Sequence, residues 1–370
     1  MNEAARVPGA VPALDGVRAL AIASVMVHHF VFLDPSRPRW LLRGGFLGVD
    51  VFLVLSAFLI SRSIRSEVSR TGSFDVRAYA LRRARRILPA LVLMFVVHAT
   101  IGAAIGDPIR EEIRQIVLSF SFVSNWQLSF GHHAPLDLVH LWSLAVEVQF
   151  YVLMAILGAM FARHRAALER RFSPTVALVV VLGFVGIVAV GRIWMWNDGF
   201  DTEAMFQRTD LRLDTLMVGI VVGILAGSGW RFLRGTTIVT GMGFVLLITL
   251  MCTLETRSEA INYWGYPAVA LASGALIAGV CMPGTLQRVF EMPGLVWLGR
   301  ISYSLYLWHL PIFVWLKRAD LGLSFPALAV LASTVSILVA AISYYGVERR
   351  WIVVRPTIRI HEQRDTSRPG

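Results

Sequence analysis

Charge is scarce in this sequence: acidic and basic side chains make up 16% of 370 residues, against 56% hydrophobic ones, and the mean hydropathy is +0.64. That excludes a soluble globule, whose surface must be wetted by polar groups. Cysteine is nearly absent too. Cys252 and Cys281 both lie in apolar runs, which excludes a disulfide framework, offers no metal-ligand spacing and makes them small buried hydrophobes. Glycine-rich phosphate loops, a G-x-S-x-G elbow and low-complexity tracts are missing. Residues 1–17 lack a basic segment followed by a small-residue cleavage site, so the first apolar run reads as a retained span.

What is present is hydrophobic length. Apolar runs near 17–33, 45–61, 88–106, 140–160, 174–192, 209–228, 236–252, 263–281, 301–316 and 324–345 suit a bilayer core about 30 Å thick. They predict an all-α polytopic membrane protein with ten transmembrane helices. The net charge of +11 is spread in short basic clusters between these runs, which fits positive-inside topology and argues against a nucleic-acid partner. With both termini cytoplasmic, inner segments carry 23 Lys and Arg and outer segments 10. The expected arrangement is therefore N-in and C-in, with one transmembrane domain over 1–350 and a basic cytoplasmic tail over 351–370. The longest outer segment, 107–139, contains "PIREEIRQIVLSF", whose apolar spacing predicts a short surface helix.

Ionisable residues inside a membrane are costly, so their depth matters. In "RALAIASVMVHH", Arg18 and His29 are eleven residues apart, about 20° around a helix and roughly 16 Å along it, so they share a face; His28 looks elsewhere. Glu147 in "HLWSLAVEVQFY" lies about 10 Å from the outer end of its span, near the level of His29. Asp50 enters from the same side, and His309 in "ISYSLYLWHLPIF" rises from the other to mid-span. Four spans thus bring ionisable groups to one layer, which suits a proton pathway, a buried acid/base site or a structural network.

Three further groups stay open at this level. Asp210, Arg212 and Asp214 in "RTDLRLDTLMVG" suit interhelical ion pairs or substrate contacts. Arg82, Arg83, Arg85 and Arg86 in "LRRARRILPAL" suit a lipid-headgroup anchor or a site for a phosphate-bearing cytosolic ligand. His132, His133 and His140 lack supporting ligands for a metal and read as solvated loop residues, so no metal site is expected.

Read in order, "LDGVRALAIASVMVHH", "GGFLGVDVFLVLSAFLIS", "LRRARRILPAL", "HLWSLAVEVQFY", "LRLDTLMVG", "GRISYSLYLWHLPI" and "YYGVERRW" resemble the acyltransferase-3 family of membrane O-acyltransferases over nearly the whole chain. The family's basic residue, ten-residue gap and histidine fall on Arg18 and His29. Ala57 replaces a usual glycine, and Val148 replaces a glutamate that often follows Glu147.

The resemblance implies transfer of an acyl group, usually acetyl, from cytosolic acyl-CoA to a hydroxyl. The acceptor is a carbohydrate or glycoconjugate, or a small molecule such as a macrolide sugar. No tightly bound cofactor is implied. His29 would be the general base, oriented by Glu147 or Asp50. Arg18, Arg82, Arg83, Arg85, Arg86, Arg212 and His309 would serve substrate binding. Location in the inner (plasma) membrane follows. Many relatives carry an appended extracellular hydrolase-like domain; none is evident here, which would leave the transfer to this chain alone or to a separate periplasmic partner. The rival from another class is a secondary transporter or flippase, which the lack of an inverted repeat disfavours.

Overall fold

The computed structural model describes residues 11–34, 42–171, 174–227 and 236–352. Apart from Trp351 and Ile352, the expected basic tail lies outside these residues. The long regular elements among the described residues are helices: α1 (Pro12–His29), α2 (Gly48–Thr71), α3 (Val76–Ile105), α4 (Ile109–Phe120), α5 (Ser124–Ser129), α6 (Trp142–Arg171), α7 (Pro174–Asn197), α8 (Thr202–Gln207), α9 (Leu213–Gly227), α10 (Thr236–Thr253), α11 (Tyr266–Val280), α12 (Thr285–Phe290), α13 (Pro293–Arg300), α14 (Ser302–Arg318), α15 (Phe325–Ser343) and α16 (Arg349–Ile352).

Among the described residues, seven segments are long and apolar enough to cross a membrane: 12–32, 45–71, 76–105, 139–165, 179–197, 261–280 and 325–352. The chain is a polytopic membrane protein. The other three runs expected as spans are also helices, but shorter ones: α9 and α14 have 15 and 17 residues, and Thr237–Thr253 is a short apolar helix. The expected surface helix within 107–139 is α4, which carries Glu111 and Glu112 in its first turn, where the helix dipole favours acids.

Two helices at the centre place the chemistry. α2 packs on α1, α6, α9 and α11, and α14 packs on α1, α3 and α15. Helices in lipid gain little from apolar burial against one another, so close backbone approach matters. On α9, Gly219 faces Val54 and Ala57 of α2, and an added Cβ there would stand 2.3 Å from the Val54 carbonyl oxygen. The contact explains Ala57 physically: it is fully buried opposite a glycine, so its methyl fills space at that crossing.

Candidate active site

α1 runs unbroken from Pro12 to His29, so Arg18 and His29 do share a face. His29 Nδ1 lies 2.8 Å from Nε2 of His309, with the ring planes 11° apart and the centroids separated by 5.0 Å. These distances place the imidazoles edge to edge, the geometry of a linear hydrogen bond. The direction of that bond is set from outside the pair. His309 Nδ1 faces the carbonyl oxygens of Tyr306 at 2.7 Å and Leu305 at 3.1 Å, which can only accept. Nδ1 of His309 therefore carries its hydrogen, its Nε2 carries a lone pair, and His29 donates from Nδ1. Neutral His29 is thus held with Nε2 as its basic nitrogen.

Below this pair lies a small chamber of about 60 Å³, lined by Arg18, Arg86, Glu147, Ser56, Tyr303 and Tyr306 among others. Ser56 Oγ and the Tyr151 hydroxyl donate to Glu147 at 2.7 and 2.5 Å. Arg18 pairs with Asp15 at 2.6 Å. Arg86 lies within electrostatic reach of Glu147 and Glu348, and Glu348 accepts from Ser304 at 2.7 Å. Tyr306 connects chamber and pair. Its hydroxyl donates to the His140 carbonyl oxygen, so Ser143, 2.7 Å away, must donate to Tyr306. One turn further along α14 stands His309.

The carboxylates expected beside His29 are engaged elsewhere. Asp50 is fully buried and accepts from Arg212 Nη1 at 2.9 Å, with Thr215 at 3.4 Å. Asp214 accepts from Arg192 at 2.6 Å, and both side chains are 1% exposed. Tyr266 lies between the two guanidiniums, 4.0 Å from Arg212 and 4.7 Å from Arg192. Of the two readings of this region, interhelical ion pairing describes the geometry. Arg212, expected to touch substrate, is 1% exposed and also donates to the Phe206 carbonyl. Asp210 instead pairs with Arg208.

The arginine cluster also divides, because successive residues point 100° apart on a helix. Arg86 enters the chamber, Arg83 stacks over Tyr79 and Tyr151, and Arg82 pairs with Glu67 at 3.0 Å. Arg85 is half-buried.

Sequence reading missed several of these groups. His140 is no solvated loop residue: it is 2% exposed and its ring packs against His309 and Tyr306 at 5.4 and 5.2 Å. His132 and His133 are exposed, as expected. Glu348 sits in the wide turn after α15 and carried no signal beyond the motif "YYGVERRW". Among the described residues, no group of three His, Cys, Asp or Glu could hold a metal ion.

At the opposite end of the bundle from the arginine cluster, His98 is clamped by two carboxylates. Asp137 Oδ2 lies 2.9 Å from Nε2, and Glu112 Oε2 lies 3.0 Å from Nδ1. Burial pushes the Asp137 carboxyl upward, but the hydrogen bond and charge of His98 outweigh it and hold the group below the usual carboxylate range. A depressed pKa stabilises the fold above the unfolded value, near 3.9, and that contribution disappears as pH falls through the folded value. Thermal unfolding below about pH 4 is therefore expected to lose more stability in the parent than in Asp137→Asn; parallel curves would remove the clamp from the acid response.

Fold and site define a polytopic membrane protein with a part-buried imidazole pair close to a chamber that holds Arg18 and Arg86. An acyltransferase domain model matches residues 11–345, and the chain belongs to this acyltransferase-3 family. It is similar to the O-acetyltransferase OatA of Staphylococcus aureus, 30% identical over 92% of this chain and 57% of that protein. It is also similar to the peptidoglycan O-acetyltransferase OatA of Listeria monocytogenes, 29% identical over 91% of this chain and 55% of the relative. The chain thus spans little more than half the length of these relatives. No solved structure matches it significantly.

Proposed function

We propose that the chain transfers an acyl group, in the simplest case acetyl, from acyl-CoA to a hydroxyl of a carbohydrate such as a peptidoglycan sugar. The observation that carries this reading is the imidazole pair, joined to the chamber through Tyr306, whose ring touches His309, with His29 Nε2 as the base. A ten-span, N-in and C-in arrangement in the cell's inner membrane accompanies this reading, supported by the excess of arginine at one end.

The donor enters at the arginine-rich end. Arg86 and Arg18 hold its phosphates, while Arg82 and Arg85 keep the entrance positive. The acyl end passes Tyr306 toward His29. His29 Nε2 takes the proton of the acceptor hydroxyl as its oxygen attacks the thioester carbonyl carbon. The C–O bond forms, the C–S bond breaks, and the proton passes from His29 to the departing thiolate. While His29 is cationic, its Nδ1–H remains bonded to His309 Nε2, which holds the ring in place. Glu147, fixed by Ser56 and Tyr151, balances the arginine charge in the chamber.

The test is thiol release from acetyl-CoA by the purified full chain with a glycan fragment as acceptor. Arg86→Gln is expected to raise KM for acetyl-CoA by about 10- to 100-fold with kcat little changed, the loss of one charged contact of about 1.5–3 kcal/mol. Movement of a substrate across vesicles without thiol release would replace this reading with a transporter.

A further inference from the structure

Beside the chamber, between α3 and α6, runs an open apolar groove of about 680 Å³. From Met160 to Val148 it extends twelve residues along α6, about 18 Å, close to the 15 Å that one leaflet contributes to a bilayer core. Val152, Ile156 and Met160 are exposed along it, so it faces the surroundings rather than the core. Arg163 and His164 line the end where α3 begins, and Arg83, two turns into α3, lies further along beside Tyr151.

These groups have no acid to neutralise them: among the described residues, neither Arg83 nor Arg163 forms an ion pair. Arg83 Nε is buried without a hydrogen-bond partner. Its guanidinium instead lies over the rings of Tyr79 and Tyr151, at 5.5 and 5.4 Å. A charged mouth on an apolar slot one leaflet deep has the polarity of an anionic amphiphile.

We propose that this groove binds an anionic phospholipid from the leaflet at the arginine-rich end. One acyl chain lies between α3 and α6, and the anionic headgroup is drawn by the positive charge of Arg163 at the mouth and Arg83 further in. Arginine forks match phosphate oxygens, so the headgroup rather than the chain sets the preference among lipids. The site adjoins the chamber. Tyr151 and Ile87 line both, and the Tyr151 hydroxyl that donates to Glu147 belongs to the ring under Arg83. A bound headgroup therefore acts on the same side chains that shape the chamber wall. The proposal does not depend on the acyl-transfer reading.

The experiment uses the full chain, delipidated in neutral detergent, and reads lipid adducts by native mass spectrometry together with the melting temperature. Phosphatidylglycerol is expected to bind as one retained molecule, at least tenfold tighter than phosphatidylcholine of the same chains. The double variant Arg83→Gln/Arg163→Gln is expected to lose that preference while still melting cooperatively. Ala155→Trp, which fills the slot, is expected to reduce binding of both lipids. Equal affinity for the two lipids in the parent, or an unchanged preference in the double glutamine variant, would overturn the proposal. So would inorganic phosphate stabilising as well as the lipid does, which would leave no role for the chain. Displacement of the lipid by coenzyme A, one for one, would give the groove to the donor instead.

Discussion

Replacing His29 with alanine is expected to lower kcat for acyl transfer by 10²- to 10⁴-fold, the usual contribution of a positioned general base, while His28→Ala retains turnover. The two residues are neighbours in sequence and differ only in direction. His29 meets His309 edge to edge, whereas the His28 ring packs against Phe46, 5.4 Å between centroids. His309→Ala should show an intermediate loss, because His29 keeps its base but nothing selects its tautomer. His309→Gln, whose amide oxygen accepts from His29 Nδ1, should recover part of that loss; a side chain that merely fills space would show no such rescue. The measurement is thiol release at saturating acetyl-CoA on variants with matched melting curves. Equal turnover in His29→Ala and the parent would remove this histidine from the chemistry.

Asp214→Ala is expected to destabilise the fold by about 3–5 kcal/mol, enough to lower the yield of folded protein sharply. Its cost comes from what stays behind. Arg192 is 1% exposed, and without the carboxylate at 2.6 Å its direct partner would be the Leu211 carbonyl, while Asp50 is already bonded to Arg212. Removing the exposed pair Arg43–Glu255, whose side chains are 48% and 58% exposed, should cost less than about 1 kcal/mol. Arg192→Met/Asp214→Leu should recover much of the lost stability, since two apolar side chains leave no charge behind. Denaturant midpoints in detergent separate these cases: if Asp214→Ala matched the exposed pair, the buried pair would hold nothing.

Much of the site was legible because a helix is periodic. Eleven residues return nearly to the same face, so Arg18 and His29 needed no tertiary information, and counting depth brought His309 to the layer of His29. Pairing is a different kind of fact. Asp50 and Glu147 share that layer, yet the packing of α9 on α2 delivers Arg212 to Asp50, and the packing of α2 on α6 delivers Ser56 to Glu147. Depth alone cannot tell which side chain a neighbour will present. The choice of His309 as the partner of His29 rests on the docking of α14 against α1. His140 was misread for a related reason: hydropathy placed it at a span edge, but α14 encloses that edge.

The two carboxylates on His98 come from different parts of the chain, Glu112 from α4 and Asp137 from the segment leading into α6. One imidazole on α3 thereby ties both ends of the intervening cap to the same turn of the bundle. Neither half of the cap can lift while keeping its counter-charge. In hydrogen-exchange terms, the backbone amides of α4 and of the segment before α6 would open together with the outer turns of α3, as one cooperative unit rather than as a fraying loop.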